Sequence, residues 1–336
     1  MLAAKKIGAE RATLIETSRP RPGPSDVLVR VRVCAVCASD LPGWQADELG
    51  AETPGRWNVD NPGLTGHEVA GEIVAVGDPS LADRIGERVW IDPIAGCDDC
   101  PHCEAGRQTL CGRVSVISQG FAEYVAAPAR QCHRIPDGLD YATASLICDM
   151  VGTPFGAAKR AAIQPGESVA VWGLGPIGLG MVQAARISGA ARIVGCDVIA
   201  SRRRFAGTVG ATLTVDPTEP GAIDALRRAT GGDGPDVVLC SAPEPAARQA
   251  YETLRRGGRM VTVAGFPTLG GYRPKWVTGS WGCDREHWPE VVDHVVSGRF
   301  VLDGCVTHTL PLESIEEAFR IRLHEPATSL KVVVTA

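Results

Sequence analysis

The most informative stretch for the fold, residues 168–178, reads Ser-Val-Ala-Val-Trp-Gly-Leu-Gly-Pro-Ile-Gly. Its β-branched start predicts a strand, and Gly173, Gly175 and Gly178 then predict a tight turn that opens a helix. Such glycines let the backbone approach a pyrophosphate, whose charge is stabilised by the helix N-terminus. The next apolar run ends in Asp197, 19 positions after Gly178. A carboxylate at that distance is expected to bind the ribose hydroxyls of a dinucleotide.

Asp197 also sets the expected coenzyme. A carboxylate there accepts hydrogen bonds from both ribose hydroxyls and repels a 2′-phosphate, which favours NAD over NADP. Three arginines at 202–204 follow closely, and Arg202 is a candidate cofactor-binding residue whose charge could weaken that preference. The competing interpretation is a packing turn followed by an incidental surface aspartate.

Outward from this motif, strands and helices alternate, which predicts an α/β protein with a doubly wound parallel sheet. The predicted strands of this part span residues 168–172, 192–197, 212–215, 236–240 and 259–264. Earlier in the chain, short apolar runs at 27–34, 68–76 and 88–91 predict a β-rich region, followed by a helical stretch at 140–161. The tail predicts helices at 288–297 and 312–323 and a strand at 330–335. These patterns predict a β-rich domain of residues 1–148 and 282–336 and an inserted dinucleotide domain of residues 149–281.

Four cysteines, Cys97, Cys100, Cys103 and Cys111, stand close together in a loop with Pro, Gly and Asp between them. Thiolates at this spacing predict a closed tetrahedral zinc shell that contributes folding energy but no chemistry. An iron–sulfur cluster or free cysteines are the alternatives. Because no export signal precedes them, we expect reduced cysteines and a cytoplasmic protein.

Composition narrows the function classes. The chain has 336 residues, of which 44% are hydrophobic and 22% charged, and this predicts a globular protein of two domains. A net charge of -5 argues against a nucleic-acid partner, because phosphate binding needs a basic surface. The apolar runs are shorter than the roughly 20 residues that cross a bilayer, so no membrane partner is expected.

Further motifs flank the predicted strands in the first third and at the end of the chain. They are Cys37-Ala-Ser39-Asp40, Gly66-His67-Glu68 and Leu330-Lys331-Val-Val-Val. In this order, with the cysteine loop and the glycine-rich fingerprint, the chain resembles the zinc-containing medium-chain alcohol dehydrogenases nearly end to end. The resemblance implies a GroES-like β-rich catalytic domain beside a Rossmann domain that binds NAD, and two zinc ions per chain, one structural and one catalytic.

The catalytic zinc ligands follow from the same resemblance. It implies that Cys37, His67 and a third residue near the domain junction bind the ion. Counting back from Thr153 selects Asp149, whereas counting back from the following Pro-Gly turn selects Cys148. We favour Asp149 as the third ligand. Cys148 stays an alternative, because zinc also binds soft thiolate ligands. With an acidic residue at this position, the chain resembles the polyol and bacterial secondary-alcohol dehydrogenases.

The resemblance implies further roles for six residues. These are proton relay for Ser39, orientation of His67 for Asp40, approach to the zinc for Glu68, contact with the nicotinamide for Ile177 and Thr153, and contact with the cofactor phosphates for Lys331. For Ile177, Thr153 and Lys331, packing or solvation is an equally simple interpretation. Two positions depart from the family pattern, because Pro42 replaces a relay histidine and Ala38 replaces a basic residue.

The resemblance therefore implies an NAD-linked, zinc-dependent oxidoreductase for a secondary alcohol, assembled as a homodimer or homotetramer. An extra segment at residues 44–60, with Trp44, Trp57 and several acids, suggests a polyol, sugar or amino-cyclitol substrate, since aromatic faces stack on sugar rings and acids attract an ammonium group. A solvated acidic loop with two packing tryptophans is the simpler interpretation of that segment. The alternatives for the whole chain are a zinc- and NAD-dependent aldehyde or formaldehyde dehydrogenase and a non-catalytic dinucleotide-binding protein with structural zinc only.

Overall fold

The structure, a computed structural model, describes residues 1–46, 64, 66–267 and 274–336. These residues form two compact units. Unit 1 comprises Met1–Cys148, Asp284–Glu286 and Leu302–Ala336, and unit 2 comprises Asp149–Cys283 and His287–Val301.

The strands and helices follow one another along both units. In chain order the strands are β1 (Leu2–Gly8), β2 (Arg11–Glu16), β3 (Asp26–Ala35), β4 (Glu68–Val76), β5 (Arg88–Ile91), β6 (Ile94–Ala95), β7 (Ser115–Val116), β8 (Tyr124–Pro128), β9 (Cys132–Arg134), β10 (Ser168–Trp172), β11 (Arg192–Cys196), β12 (Leu213–Val215), β13 (Val237–Cys240), β14 (Arg259–Thr262), β15 (Trp276–Gly279), β16 (Val306–Pro311) and β17 (Lys331–Thr335). The helices are α1 (Leu41–Gln45), α2 (Pro101–Glu104), α3 (Tyr141–Ser145), α4 (Gly152–Ala161), α5 (Pro176–Ile187), α6 (Ala200–Val209), α7 (Ala222–Ala229), α8 (Ala246–Thr253), α9 (Trp288–Val296) and α10 (Ile315–His324).

Unit 1 is built on a sheet with the strand order β16-β17-β3-β4-β5-β9, and β8 pairs with β3 outside that path. Strand β3 is antiparallel to β4, with Ala35 opposite Glu68, and it is also antiparallel to β17. The inward side chains of β3, including Val27, Val29 and Val31, are fully buried in one apolar core. The end of β3 therefore lies at the same end of the sheet as the starts of β4 and β17, although the three strands are distant in sequence.

Unit 2 contains a parallel sheet with the order β12-β11-β10-β13-β14-β15. Strand β10 begins the series and lies at the centre, so the strand order reverses beside it, and a dinucleotide binds at such a reversal. Its five residues are all buried, as expected for a strand covered on both faces. The predicted parallel doubly wound sheet is confirmed, with bounds of the five predicted strands that shift by up to two residues and with a sixth strand, β15, that the sequence pattern does not predict.

The segment at 287–301 packs with unit 2, although the predicted division placed residues 282–336 in the first domain. Close packing explains its position. A side chain at Gly152 of α4 would collide with the ring of Trp288 in α9, and Gln183 Nε2 donates to the carbonyl oxygen of Val301 over 3.0 Å.

The helical stretch predicted at 140–161 is interrupted. Asp140 caps α3 by accepting a hydrogen bond from the Thr143 N–H at 2.7 Å. A π-helical turn at Ile147–Val151 then precedes α4. Such turns are rare and occur often at functional sites. Among the described residues, no helix is long and apolar enough to span a membrane.

Candidate metal centres and dinucleotide site

The four-cysteine loop brings its sulfur atoms together as predicted. The Sγ atoms of Cys97, Cys100, Cys103 and Cys111 all lie within 4.8 Å of one another. Backbone hydrogen bonds at Cys97 and Arg113 lower the pKa of the Cys111 thiol, whereas a hydrogen bond with Asp99 raises the pKa of the Cys97 thiol to about 12. Four sulfur donors at this spacing fit a structural zinc ion and leave no ligand position for a substrate.

Residues outside the loop hold it in place through Thr109 and Gln108, and the spacing of the cysteines does not predict these contacts. Asp284 Oδ1 accepts hydrogen bonds from both the N–H and the hydroxyl of Thr109, at 3.0 and 2.7 Å. The buried Gln108 donates to Asp92 Oδ2 at 3.2 Å and accepts from the Arg285 N–H at 2.7 Å. Because residues 284 and 285 are about 175 positions further along the chain, no local spacing signals this contact.

A second group of metal-binding side chains comprises Cys37, His67, Glu68 and Asp149, with one ligand atom of each within 4.8 Å of the others. The sheet register explains the first three. Cys37 follows β3 and His67 precedes β4, and the two strands pair at Ala35 and Glu68. Asp149 lies in the π-helical turn, directly after Cys148 in the chain. One sulfur, one imidazole and one or two carboxylates fit a catalytic zinc ion.

The structure separates the two candidates for the third ligand. The Cys148 side chain points to the carbonyl oxygens of Ser145 and His67, at 3.6 and 4.0 Å from its Sγ. Asp149 belongs to the second metal group, and Cys148 does not. The geometry therefore favours Asp149.

Lys331 lies in a different place from the one that the resemblance implied. Its Nζ donates to both carboxylate oxygens of Glu68, with the Oε2 contact at 2.6 Å, and the two side chains are 2% and 0% exposed. Strands β17 and β4 lie on either side of β3 and both begin near its end, so the side chains of Lys331 and Glu68 meet across the end of β3. The structure therefore places Lys331 in a buried ion pair with Glu68, and the expected contact with cofactor phosphates is not supported.

Two further predicted residues lie in the turn after β3. Residues Ala38–Asp40 form a 3-10 turn in which Ser39 is exposed and Asp40 is 2% exposed. An exposed hydroxyl two residues from Cys37 fits a proton-transfer role, and a buried carboxylate fits the orientation of His67.

The glycine-rich turn has the geometry that a dinucleotide requires. Gly173 has φ of +81°, and a Cβ at Gly178 would collide with the Gly173 carbonyl oxygen, so both positions need glycine. Gly175 caps the N-terminus of α5, and Ile177 in its first turn is half-buried.

Asp197 lies against this turn. Its Oδ2 accepts a hydrogen bond from the Leu174 N–H at 2.6 Å and its Oδ1 accepts from the Ile199 N–H at 2.7 Å. Arg202 Nη1 lies 3.9 Å from Asp197 Oδ2. Burial lowers the pKa of this guanidinium, and the charge of Asp197 offsets only part of that shift. The turn, the helix N-terminus and the carboxylate together fit the adenosine half of NAD.

For Thr153 and Trp44, the structure shows contacts other than those considered with nicotinamide and with a sugar. The Thr153 hydroxyl, expected at the nicotinamide, donates to Asp149 Oδ1 at 3.0 Å. Trp44, considered as a stacking surface for a sugar, is 1% exposed and packs on Phe319 at a ring-centroid distance of 4.7 Å. Trp57 and the acids of the same predicted loop lie outside the described residues.

Comparisons with known proteins agree with this geometry. The family model of the alcohol dehydrogenase GroES-like domain matches residues 23–137, and that of zinc-binding dehydrogenases matches residues 176–297. The sorbitol dehydrogenase of Bacillus subtilis is 31% identical over 92% of this chain and 90% of that protein. The L-threonine 3-dehydrogenase of Symbiobacterium thermophilum is 32% identical over 96% of this chain and 94% of that protein. A solved structure of an NAD-dependent alcohol dehydrogenase has a TM-score of 0.86 and 25% identity, and the match covers all of both chains. These matches confirm the predicted pairing of GroES-like and Rossmann domains.

Proposed function

Because this chain belongs to the zinc-containing medium-chain alcohol dehydrogenase family, we propose that it oxidises a secondary hydroxyl group of a polyol or sugar-like substrate with NAD, and reduces the matching ketone. The observation that carries the proposal is the group formed by Cys37, His67 and Asp149 in a chain that also has a complete glycine-rich fingerprint. The polyol class is supported by the acidic third ligand and by the sorbitol dehydrogenase relative.

Each of the predicted site residues has a separate role in this reaction. Cys37, His67 and Asp149 bind the catalytic zinc, and the cysteine loop binds the structural one. A zinc ion held there would supply Lewis-acid chemistry at the substrate oxygen, and NAD would supply the hydride acceptor. The exposed Ser39 hydroxyl takes the substrate proton towards solvent, and the buried Asp40 keeps His67 in its ligand orientation. Lys331 neutralises Glu68 beside the ligands.

A substrate panel followed by NADH absorbance tests the activity. We expect turnover of polyols with secondary hydroxyls, such as sorbitol and xylitol, and of the corresponding ketoses with NADH. The panel includes an amino-cyclitol, a simple primary alkanol and formaldehyde. Oxidation of aldehydes with no ketose reduction would contradict the proposal and favour an aldehyde dehydrogenase, and binding of NADH without any turnover would favour a non-catalytic protein.

We further propose NAD as the preferred coenzyme, supported by the position of Asp197. Asp197→Asn keeps one acceptor oxygen for the Leu174 N–H but removes the charge that repels a 2′-phosphate. A hydrogen bond to a charged group contributes about 1.5–3 kcal/mol, so we expect the ratio of kcat/KM for NAD to that for NADP to fall at least about tenfold. Initial rates with both coenzymes measure the ratio. Asp224→Asn, at an exposed acid of α7, is the matched control, and an unchanged ratio in Asp197→Asn would contradict the assignment.

The assembly and location are proposals of the same kind. We propose a homodimer or homotetramer, supported by the edge strand β15, on which Trp276 is 76% exposed. A large apolar side chain on a sheet edge is often covered by another chain. A cytoplasmic location is supported by the thiolate ligands of the cysteine loop, which need a reducing compartment.

A further inference from the structure

Thr153 lies near the start of α4, four residues after Asp149. Its Oγ1 is 3.0 Å from Asp149 Oδ1, and the residue is 8% exposed. An ionised carboxylate can only accept, so the hydroxyl is the donor. Threonine hydroxyls inside helices commonly bond back to the carbonyl oxygen four residues earlier. Here the backbone at Ile147–Val151 is π-helical, and the hydroxyl bonds to the side chain of the residue four positions earlier.

We propose that Thr153 is a positioning residue that orients the Asp149 carboxylate for metal binding. The inference rests on the proposed function, because it takes Asp149 as the third zinc ligand. It assigns the hydroxyl of Thr153 to the metal site, whereas the family resemblance assigned this residue to the nicotinamide.

The physical argument concerns the freedom of the carboxylate. An aspartate side chain rotates about two bonds, and a ligand that is already held loses less conformational entropy when it binds a metal. A hydrogen bond to Oδ1 restrains rotation of the carboxylate about its Cβ–Cγ bond. Mutation of a group that hydrogen-bonds to a metal ligand in this way typically lowers metal affinity or activity by 10–100-fold.

The same bond limits what Thr153 can do for a cofactor. A hydroxyl has a single proton, and this one is donated to Asp149. It therefore cannot be donated at the same time to the carboxamide oxygen of a nicotinamide.

Two substitutions separate the possible roles. Thr153→Val keeps the branched shape and removes the hydroxyl, and Thr153→Ser keeps the hydroxyl and removes the methyl group. The affinity of the catalytic site for Zn²⁺ is measured by competition with a chromophoric chelator, and the dissociation constant for NADH by fluorescence titration. We expect Thr153→Val to bind Zn²⁺ roughly 10–100-fold more weakly, Thr153→Ser to stay near the parent protein, and NADH binding to the holoenzyme to be unchanged in both.

The possible outcomes are distinct. Unchanged Zn²⁺ affinity in Thr153→Val, equal losses in both variants, or a weakened NADH affinity at full metal loading would each overturn the inference. If Thr153→Val does not reach the parent's circular dichroism spectrum, Thr153→Ala takes its place in the same comparison.

Asp149→Ala distinguishes this inference from the proposed function. Unchanged Zn²⁺ affinity in Asp149→Ala would refute the ligand set itself. Loss of one zinc in Asp149→Ala together with parent affinity in Thr153→Val would refute only the role of Thr153.

Discussion

Replacing Asp149 with alanine is expected to lower kcat by roughly 10³-fold and to reduce the zinc content from two ions per chain to one. Lewis-acid stabilisation of the developing charge amounts to several kcal/mol, and each 1.36 kcal/mol corresponds to a tenfold change in rate. With Asp149 gone, Cys37, His67 and Glu68 remain, but Lys331 holds the Glu68 carboxylate in an ion pair, so two unengaged protein ligands are left where a catalytic zinc site uses three. The four-cysteine group is a separate set of ligands and should keep its ion.

Metal analysis of the purified variant and steady-state rates measure both effects. Cys148→Ser is the matched control, because it alters the neighbouring rival ligand, whose Sγ points to the carbonyl oxygen of Ser145. We expect this control to keep both ions and most of the activity. The opposite pattern, with activity lost in Cys148→Ser and kept in Asp149→Ala, would reverse the ligand assignment.

Replacing Lys331 with methionine is expected to destabilise the protein by about 3–5 kcal/mol, because it leaves the fully buried Glu68 carboxylate without its cation. Methionine fills a similar volume, so the loss comes mainly from electrostatics rather than from a cavity. Urea unfolding of the zinc-loaded protein, with the midpoint and slope both fitted, measures the change.

The double variant Glu68→Gln/Lys331→Met is the matched control for this prediction. It removes both charges, and replacing a complete buried pair is often nearly neutral. We expect it to recover much of the stability that Lys331→Met loses. Unfolding of Lys331→Met at the parent's urea concentration, combined with a large rise in the dissociation constant for NADH, would show that Lys331 serves the cofactor instead.

The parts of the structure that depend on local spacing can be predicted from the sequence. The turn at Gly173–Gly178 needs glycine for steric reasons within a few residues, and its strand, helix and following Asp197 lie within one βαβ unit. The four cysteines likewise share one loop. Such features are visible in a single sequence because the residues that form them are neighbours in the chain.

Features that depend on long-range pairing were not visible in the sequence. Lys331 and Glu68 are 263 positions apart, and only the order of β17, β3 and β4 brings them together. Trp44 packs in the core, as the simpler interpretation of its segment predicts, but no local pattern shows that its partner is Phe319, 275 positions further along the chain. The interruption of the helix at Ile147–Val151 is not predicted by periodicity, although Gly152 and Pro154 follow it directly and Pro154 has no N–H to donate to the carbonyl oxygen of Met150.

The π-helical turn at Ile147–Val151 has an evolutionary consequence. Its backbone hydrogen bonds span five residues where an α-helix spans four, so the turn holds one residue more than an uninterrupted helix would. Deleting the codon of Met150 or Val151 would restore the regular repeat and rotate Asp149 by about 100° relative to α4. A lineage could therefore lose this metal ligand in one in-frame deletion that leaves every other ligand codon in place.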